Sequence, residues 1–433
     1  MDDSDNKELE APTEPVVHVK DGGIRGWLQV LGAFFIFFNV WGLTFAYGSF
    51  QSFYALEYLP ASGASAISWI GTVQSFLLIV CGVISGPLFD LGYYRAMIVV
   101  GSTLSVLGIM MLSLAHEYYA IFLSHGICMG IGFGLLYIPS VALVSRRFAR
   151  RRAVALGIST SGAPAGGIIY TLMFEQLIPK VKFAWTVRVL GFVMLFLFVG
   201  AAFLLLWKTD TTHQAQGQPR QKTKLLDLRA LRDPPFWSFT ASNFLLYLGY
   251  MTPFYYIPTY AETKLHTSRS LGLYILIISQ AASIIGRVAT TTVAHRYGSM
   301  IPWIFCGMVS GILCLAWISV HSLVQFILYS AFYGGISGAL VPLPPSVFPH
   351  VCPDPAALGT WLGMAQSISS ISTLIGPPIA GAGARCPVPD TVKRGSRAIV
   401  IPGKITRSAR SPSVVEIDEQ LRLQQQYPPY SYG

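Results

Sequence analysis

Long apolar stretches separated by short polar segments dominate the pattern of this chain. Eleven stretches contain almost no charged side chain, and they cover residues 27–53, 66–89, 96–115, 118–145, 153–177, 184–207, 235–261, 270–294, 300–320, 323–348 and 357–381. A helix of about 20 apolar residues crosses a hydrocarbon core of about 30 Å while satisfying its own backbone hydrogen bonds. The pattern therefore predicts an all-α, polytopic membrane protein with these 11 spans.

Composition and charge support a multi-pass protein in a lipid bilayer. Hydrophobic residues make up 53% of the chain and charged residues 12%, whereas soluble domains have about 25% charged residues. If the N-terminus is cytoplasmic, the loops on the outer side hold few basic residues, namely Lys180, Lys182, Lys264 and Arg269. The other Lys and Arg residues that precede the last span, in the N-terminal tail and the loops, then lie on the cytoplasmic side, as the positive-inside rule predicts. The net charge of +10 thus reports topology, so no nucleic-acid partner is predicted, and we expect a plasma membrane location.

The two halves of the chain contain an internal repeat. "PSV" occurs at 139–141 and 345–347, and "LGISTS" at 156–161 matches "LGMAQS" at 362–367. Both pairs have the same offset, because 345 − 139 and 362 − 156 each equal 206. An offset containing six spans preserves orientation in the membrane. The repeat therefore predicts the major-facilitator fold of two parallel six-helix repeats, in which substrate passes between the halves.

The repeat also predicts how the chain is divided. We expect a cytoplasmic acidic tail at 1–26, an N-terminal six-helix bundle at 27–207, a cytoplasmic linker at 208–234, a C-terminal bundle of five helices at 235–381 and a polar, basic, disordered tail at 382–433. The counterpart of the sixth span would fall at 390–413, where Lys and Arg side chains each oppose insertion by about 2.5 to 3.5 kcal/mol. Either the twelfth helix is lost, or the coding sequence after Ala382 was wrongly joined.

Several motifs resemble one branch of this superfamily. "DGGIRGW" at 21–27 opens into the first span, and "RFARRRAVALGISTSG" at 147–162 leads into the fifth. These stretches resemble the two signatures of the monocarboxylate-porter branch, while "GPLFDLGYYR" at 86–95 and the segment at 353–381 resemble its fungal members. The resemblance covers roughly residues 20–381. It implies a secondary active transporter of small organic anions, of monocarboxylate type and linked to protons by symport.

Arg287 is the main candidate for binding substrate. It lies inside an apolar span, and its counterpart in the first half is Gly82, so the repeat gives no packing reason for a cation. An arginine roughly 10 Å from the inner end could extend to the interface. Otherwise, an intramembrane guanidinium marks a substrate path and suits a carboxylate. The resemblance implies the second role. Weaker candidates for the polar lining are Asn39, Gln74, Tyr137, Asn243, Tyr247 and Gln280.

A gate is predicted at the inner ends of the second and eighth spans. The resemblance implies that Asp90, with Arg95 five residues later, pairs with basic groups of the other half when the inner side is closed. The alternative is a solvated loop acid. The second-half counterpart of Asp90 is His295, which would weaken this gate or make it sensitive to pH.

Proton coupling has one candidate at depth. The acidic residues fall in tails, loops or helix ends, which argues against a carboxylate relay, whereas His125 lies about seven residues into the fourth span. A structural, hydrogen-bonded histidine is the alternative. The six cysteines have no spacing typical of a metal site, so we predict neither metal nor cofactor. No enzyme motif of the Gly-x-Ser-x-Gly or phosphate-loop type occurs.

Three functions remain open at this point. The main one is proton-linked transport of a small organic acid. The first alternative is export of a fungal secondary metabolite, which would be an acidic product. The second alternative is a non-transporting remnant or sensor, because of the expected loss of the twelfth helix.

Overall fold

The computed structural model describes residues 23–59, 62–148, 151–206, 227–352 and 358–383. Regular structure within these ranges is entirely helical. Chain contacts separate residues 1–385 from residues 386–433, and every described residue belongs to the first group. The predicted N-terminal tail, linker and disordered C-terminal tail lie almost wholly outside the described residues.

The helices fall into two sets, which we call the first half and the second half. The first half contains α1 (Gly23–Phe53), α2 (Ala64–Val80), α3 (Gly82–Asp90), α4 (Tyr94–Leu112), α5 (Tyr118–Ile121), α6 (Met129–Arg147), α7 (Arg152–Thr160) and α8 (Gly162–Leu206). The second half contains α9 (Pro234–Lys264), α10 (Arg269–Tyr297), α11 (Met300–Ala316), α12 (Leu323–Gly338), α13 (Leu343–Val347) and α14 (Leu358–Gly383). Two π-helical segments, Tyr54–Tyr58 and Phe122–Cys128, extend α1 and precede α6.

Each predicted span coincides with helix. Among the described residues, 8 helical segments are long and apolar enough to cross a membrane. One of them, Arg152–Leu206, covers two predicted spans, and Lys182 separates these with a non-helical φ of 61°. The spans predicted at 235–261 and 357–381 correspond to α9 and α14. The all-α membrane architecture is confirmed, while the count of 11 spans stays a prediction.

Glycines bring corresponding pairs of helices into close contact in the two halves. A side chain at Gly134 of α6 would collide with Cys81, directly after α2, and one at Gly334 of α12 would collide with Ser279 of α10. Small residues at such positions allow helices in a membrane to approach closely. The helix pair made by the second and fourth spans of each half thus packs through a glycine.

The halves touch each other at both ends of their interface. At the end predicted to be cytoplasmic, here the inner end, Gly157 of α7 lies against Thr291 of α10. At the opposite, outer end, Gly48 of α1 lies against the backbone carbonyl of Phe254 in α9. The polar residues between these ends are consequently enclosed by both halves.

Candidate substrate site between the two halves

Arg287 is fully buried on α10, at the interface between the halves. Its Nη1 donates to the carbonyl of Thr160 in the first half at 2.5 Å, and its Nε donates to the Ser283 hydroxyl at 3.4 Å. The guanidinium carbon lies 5.9 Å from the centre of the Phe45 ring. Its Nη2 has no hydrogen-bond partner. The side chain therefore does not extend to the membrane surface, and one face of its charge remains unpaired.

A proline makes the Thr160 carbonyl available to Arg287. In a continuous helix this carbonyl would accept a hydrogen bond from the N–H of residue 164, but residue 164 is a proline. The backbone accordingly breaks between α7 and α8, with α7 ending at Thr160 and α8 beginning at Gly162. The freed carbonyl points across the interface and binds the guanidinium. Pro164 thus leaves free the carbonyl that Arg287 binds.

The charge of Arg287 is poorly compensated. Within the described part of the chain, the ion pairs involve Arg269 and not Arg287. The hydroxyl of Tyr250 in α9 lies close to the guanidinium, but neither this hydroxyl nor Nη2 makes a hydrogen bond of good geometry. A buried charge without a counter-ion typically costs several kcal/mol. The site thus has a strong electrostatic preference for an anion.

Other buried polar groups also lack partners. Both amide atoms of Gln74 and of Gln280 are buried and unpaired. Gln280 lies against Gly167 of the first half. Each unsatisfied buried group costs about 1 to 3 kcal/mol. Two of the predicted lining residues therefore have free hydrogen-bonding capacity.

Asn39 differs from these glutamines because the first half already uses its amide. Its Nδ2 donates to the Met194 carbonyl at 3.2 Å, and its Oδ1 accepts from the Tyr170 hydroxyl at 2.6 Å. These bonds join α1 to both parts of α8. A packing role accounts for Asn39, so among the predicted lining residues it has the least capacity for substrate.

Tyr137 of the first half and Tyr247 of the second half lie near each other. Tyr137 of α6 contacts the rings of Phe37 and Trp41 edge-on, each at 6.0 Å between centroids. The hydroxyl of Tyr247 in α9 lies close to Tyr137 and to the amides of Asn243 and Gln366. Aromatic side chains of both halves are thus buried next to a polar group in the second half.

Gln366 belongs to this polar group, although sequence analysis did not select it. The Asn243 Nδ2 donates to its Oε1 at 3.1 Å. The repeat contained the necessary signal, since 366 − 206 = 160, and Gln366 is therefore the counterpart of Thr160. Both members of that matched pair contribute a polar group at the interface.

The predicted inner gate is only partly visible. Asp90 is the last residue of α3, and its side chain lies outside what the structure describes. Arg95 and His295 are exposed, and Arg95 lies 5.9 Å from the Tyr94 ring centre. The gating role of these three residues stays a prediction.

His125 occupies a π-helical segment in an aromatic environment. Its Nδ1 is 3.2 Å from the Tyr54 hydroxyl, which belongs to the other π-helical segment. The Phe50 ring lies 5.0 Å away between centroids, and Nε2 has no partner. Single turns of π-helix occur often at functional sites. The bond to Tyr54 fits the structural alternative, while the free Nε2 keeps proton transfer chemically feasible.

A cluster of charges at the outer end was missed by sequence analysis. Arg269, at the start of α10, binds Glu57 at 2.6 Å and lies 3.6 Å from Glu175. Both acids belong to the first half. Glu262, one residue beyond the span predicted at 235–261, interacts with Arg269 and Glu175, and burial raises the pKa of its carboxyl. Arg269 thus ties the halves together opposite Arg287.

Solved transporter structures share this fold. A FucP transporter in the outward conformation superposes with a TM-score of 0.58 at 16% identity, covering 82% of this chain and 90% of its own. A bacterial homologue of the iron transporter ferroportin gives 0.62 at 16% identity, covering 83% and 92%. At such identities the likeness concerns the fold alone.

Fungal transporters are similar in sequence. The MFS-type transporter dbaD of Emericella nidulans is 35% identical over 84% of this chain and 80% of its own length. The aspyridones efflux protein apdF of the same fungus is 32% identical over 84% and 72%. The agnestins efflux protein AgnL12 of Paecilomyces divaricatus is 33% identical over 82% and 80%. The family model of the Major Facilitator Superfamily matches residues 29–377, and the chain belongs to this superfamily of membrane transporters.

Proposed function

We propose that the protein exports a small organic molecule that carries an anionic group, and that Arg287 binds this group between the halves. Two similar fungal proteins are named for efflux of a product. Their similarity favours the metabolite exporter over uptake of a simple monocarboxylate, which was the main expectation from sequence. No sequence relative considered above is named for monocarboxylates.

The observation that carries the proposal is the unpaired charge of Arg287. Its Nη2 is buried without a partner, and Nη1 is bound only to a neutral carbonyl. A carboxylate or another planar anion would accept two parallel hydrogen bonds from the guanidinium. Substrate binding would therefore compensate a charge that the protein leaves incompletely paired.

The Thr160 carbonyl suggests how binding is linked to movement. An anion is a stronger acceptor than a neutral carbonyl, so a substrate would compete with Thr160 for Nη1. Losing that bond would remove one contact between α7 and α10 at the inner side of the interface. Differential binding of this kind shifts a conformational equilibrium.

The neutral lining suits a substrate larger than a short-chain acid. Tyr137, Tyr247 and Trp41 supply aromatic surface, and Gln74 and Gln280 supply free amides. Aromatic walls with a few polar groups are typical of sites for organic molecules. Coupling to protons remains part of the proposal, with His125 and Glu262 as the groups that would titrate.

Export is tested with proteoliposomes preloaded with 2-naphthalenesulfonate, a fluorescent aromatic anion that stays charged at ordinary pH. We expect the wild type to release the probe faster than empty liposomes, and Arg287→Lys and Arg287→Gln to be slower. Arg188→Lys is the matched control, because Arg188 binds Ser113 within the first half. Rates for Arg287→Gln equal to the wild type would refute the binding role. A wild type no faster than empty liposomes would contradict export of aromatic anions and favour the remnant or sensor.

A further inference from the structure

The amides of Asn243 and Gln366 form a pair that is incompletely satisfied. Asn243 lies on α9 and Gln366 on α14, and their side chains are 0% and 4% exposed. One hydrogen bond of 3.1 Å joins them. The Oδ1 of Asn243 and the Nε2 of Gln366 have no partner. The pair therefore presents one acceptor and one donor within the second half.

This property does not depend on how the amides are oriented. Oxygen and nitrogen of a side-chain amide are assigned from hydrogen bonding and are readily exchanged. If both amides are rotated, Gln366 donates to Asn243, and a free donor then remains on Asn243 with a free acceptor on Gln366. Either arrangement leaves one donor beside one acceptor.

The pair lies close to residues of the first half. The hydroxyl of Tyr247, one turn after Asn243, lies close to both amides and to Tyr137 of the first half, but it makes no hydrogen bond of good geometry to the free Oδ1 of Asn243 or the free Nε2 of Gln366. The residue after Gln366, Ser367, donates to the Val80 carbonyl of the first half at 3.4 Å. Because both amides belong to the second half, they would stay together when the halves separate.

We propose that this pair is a second recognition site, which binds a neutral substrate group carrying an acceptor and a donor side by side. A carboxamide or a lactam has this pattern. Arg287 has only donors and binds an anionic group. The amide pair would instead bind a neutral group and discriminate against molecules that lack the donor or the acceptor. The proposal rests on export through the same interface, and it adds the chemical class of the neutral part of the substrate.

Two probes of nearly equal shape test this site without involving Arg287. Benzamide carries a donor and an acceptor, whereas acetophenone has a methyl group in place of the amide nitrogen. Binding of each to the purified full-length protein is measured by ligand-observed NMR titration. We expect the wild type to bind benzamide roughly tenfold more tightly, as two net hydrogen bonds would give.

The informative variant replaces both amides, Asn243→Leu with Gln366→Leu. Replacing both partners by apolar groups of similar shape leaves no unpaired atom, so folding is expected to persist. The double variant should bind the two probes equally. Tyr170→Phe, which removes a hydroxyl bound to a buried amide inside the first half, should keep the wild-type preference.

The outcomes separate this site from the proposed function. Equal affinity of the wild type for benzamide and acetophenone would overturn the proposal, as would a preference that survives in the double variant. A tenfold preference that is lost in the double variant and kept in Arg287→Gln would support it. The binding result does not depend on export. If naphthalenesulfonate is not exported but the benzamide preference behaves in this way, the export proposal is contradicted and the amide-pair proposal is still supported.

Discussion

At the scale of the residue, Arg287 shows a conflict between stability and binding. Its burial requires desolvation of a charge, and a carbonyl, a hydroxyl and the face of an aromatic ring compensate this only in part. Natural proteins keep such groups where function requires them. The sequence indicated this residue because a single charge in an apolar span is unusual, and its counterpart Gly82 removes a packing explanation.

The first prediction concerns Arg287→Met. Methionine fills similar space without charge, and replacing a buried, poorly paired ion by an apolar side chain is often neutral or stabilising. We expect the thermal midpoint in detergent to be at least that of the wild type, while export of 2-naphthalenesulfonate is lost. A midpoint lowered by several degrees would mean that Arg287 serves mainly to hold α10 against α7.

The other side chains of the site were harder to predict from sequence. Gln74 and Gln280 were selected because they are polar residues inside apolar spans, and both are buried with free amides. Asn39 satisfied the same criterion, yet Tyr170 and Met194 occupy its amide. A polar residue within a span does not reveal its partners, since these come from distant parts of the chain. Only three-dimensional packing distinguishes a free amide from a satisfied one.

At the scale of the element, the break between α7 and α8 connects local backbone chemistry to the interface. Pro164 removes the donor that would bind the Thr160 carbonyl, and Arg287 takes its place. Prolines in membrane helices are tolerated when another group satisfies the freed carbonyl. This break was predictable, because proline has the same consequence in any helix. Its partner was not predictable, since the two residues are 127 positions apart.

The second prediction concerns Pro164→Ala. Alanine restores the N–H, which can then bind the Thr160 carbonyl and compete with Arg287. We expect a weaker inner contact, measured as faster maleimide labelling of a cysteine introduced at the buried Thr291 in a background without native cysteines. Pro179→Ala, in the same α8, is the control and should label like the parent. Unchanged labelling of the Pro164 variant would show that the bond to Arg287 does not hold the inner end closed.

The third prediction compares two glycines. A side chain at Gly166 of α8 would collide with the backbone of Phe38 and Gly42 in α1, whereas nothing lies within 4 Å of a side chain at Gly311 of α11. Overpacking of this kind typically costs about 1 to 3 kcal/mol, and more against backbone. We expect Gly166→Leu to lose monodisperse protein in fluorescence-detected size exclusion, and Gly311→Leu to resemble the wild type. Equal profiles would contradict the tight packing of α1 on α8.

At the scale of the whole molecule, the two halves differ beside α9 and α11. In the first half, the second part of α8 packs on α1, with Leu205 against Gly32, and on α4, with Met110 against Gly191. Among the described residues, the equivalent place in the second half, beside α9 and α11, is a cavity of about 720 Å³. Its position is the one that the repeat assigns to a twelfth helix. The predicted disordered tail begins at residue 382, within the last turn of α14, and its residues 384–433 lie outside the described residues.

The two ends of the interface are closed by different chemistry. At the inner side, a guanidinium binds a backbone carbonyl, and a glycine packs on a threonine. At the outer end, Arg269 binds carboxylates of the first half. Charge pairs near the surface respond to pH and salt more than packed backbone does. We therefore expect the outer end to be the one that pH controls.

The sign of this pH dependence follows from Glu262. Burial is the largest cause of the raised pKa of its carboxyl; Arg269 opposes the shift, and Glu175 adds to it. The carboxyl of Glu262 therefore binds a proton more tightly when the outer end is closed than when the outer end is open and solvated. The resulting stabilisation of the closed end is complete below the ordinary pKa of a glutamate, and it is lost as the pH rises through the raised value. The outer end should open more often at higher pH.

The fourth prediction is tested by labelling a cysteine introduced at Ser49, which is 1% exposed on α1, in a background without native cysteines. The labelling rates are corrected for the pH dependence of thiolate formation. In the parent protein, which carries only this introduced cysteine, we expect the corrected rate to increase from acidic to neutral pH. Glu262→Gln mimics the protonated acid permanently. In this variant, the labelling rate of the introduced cysteine should therefore stay low from acidic to neutral pH. Glu117→Gln changes an exposed acid outside the cluster and should follow the parent. A Glu262→Gln variant whose rate still rises with pH would locate the titrating group elsewhere, and His125, bound to Tyr54, would then be the residue to substitute next.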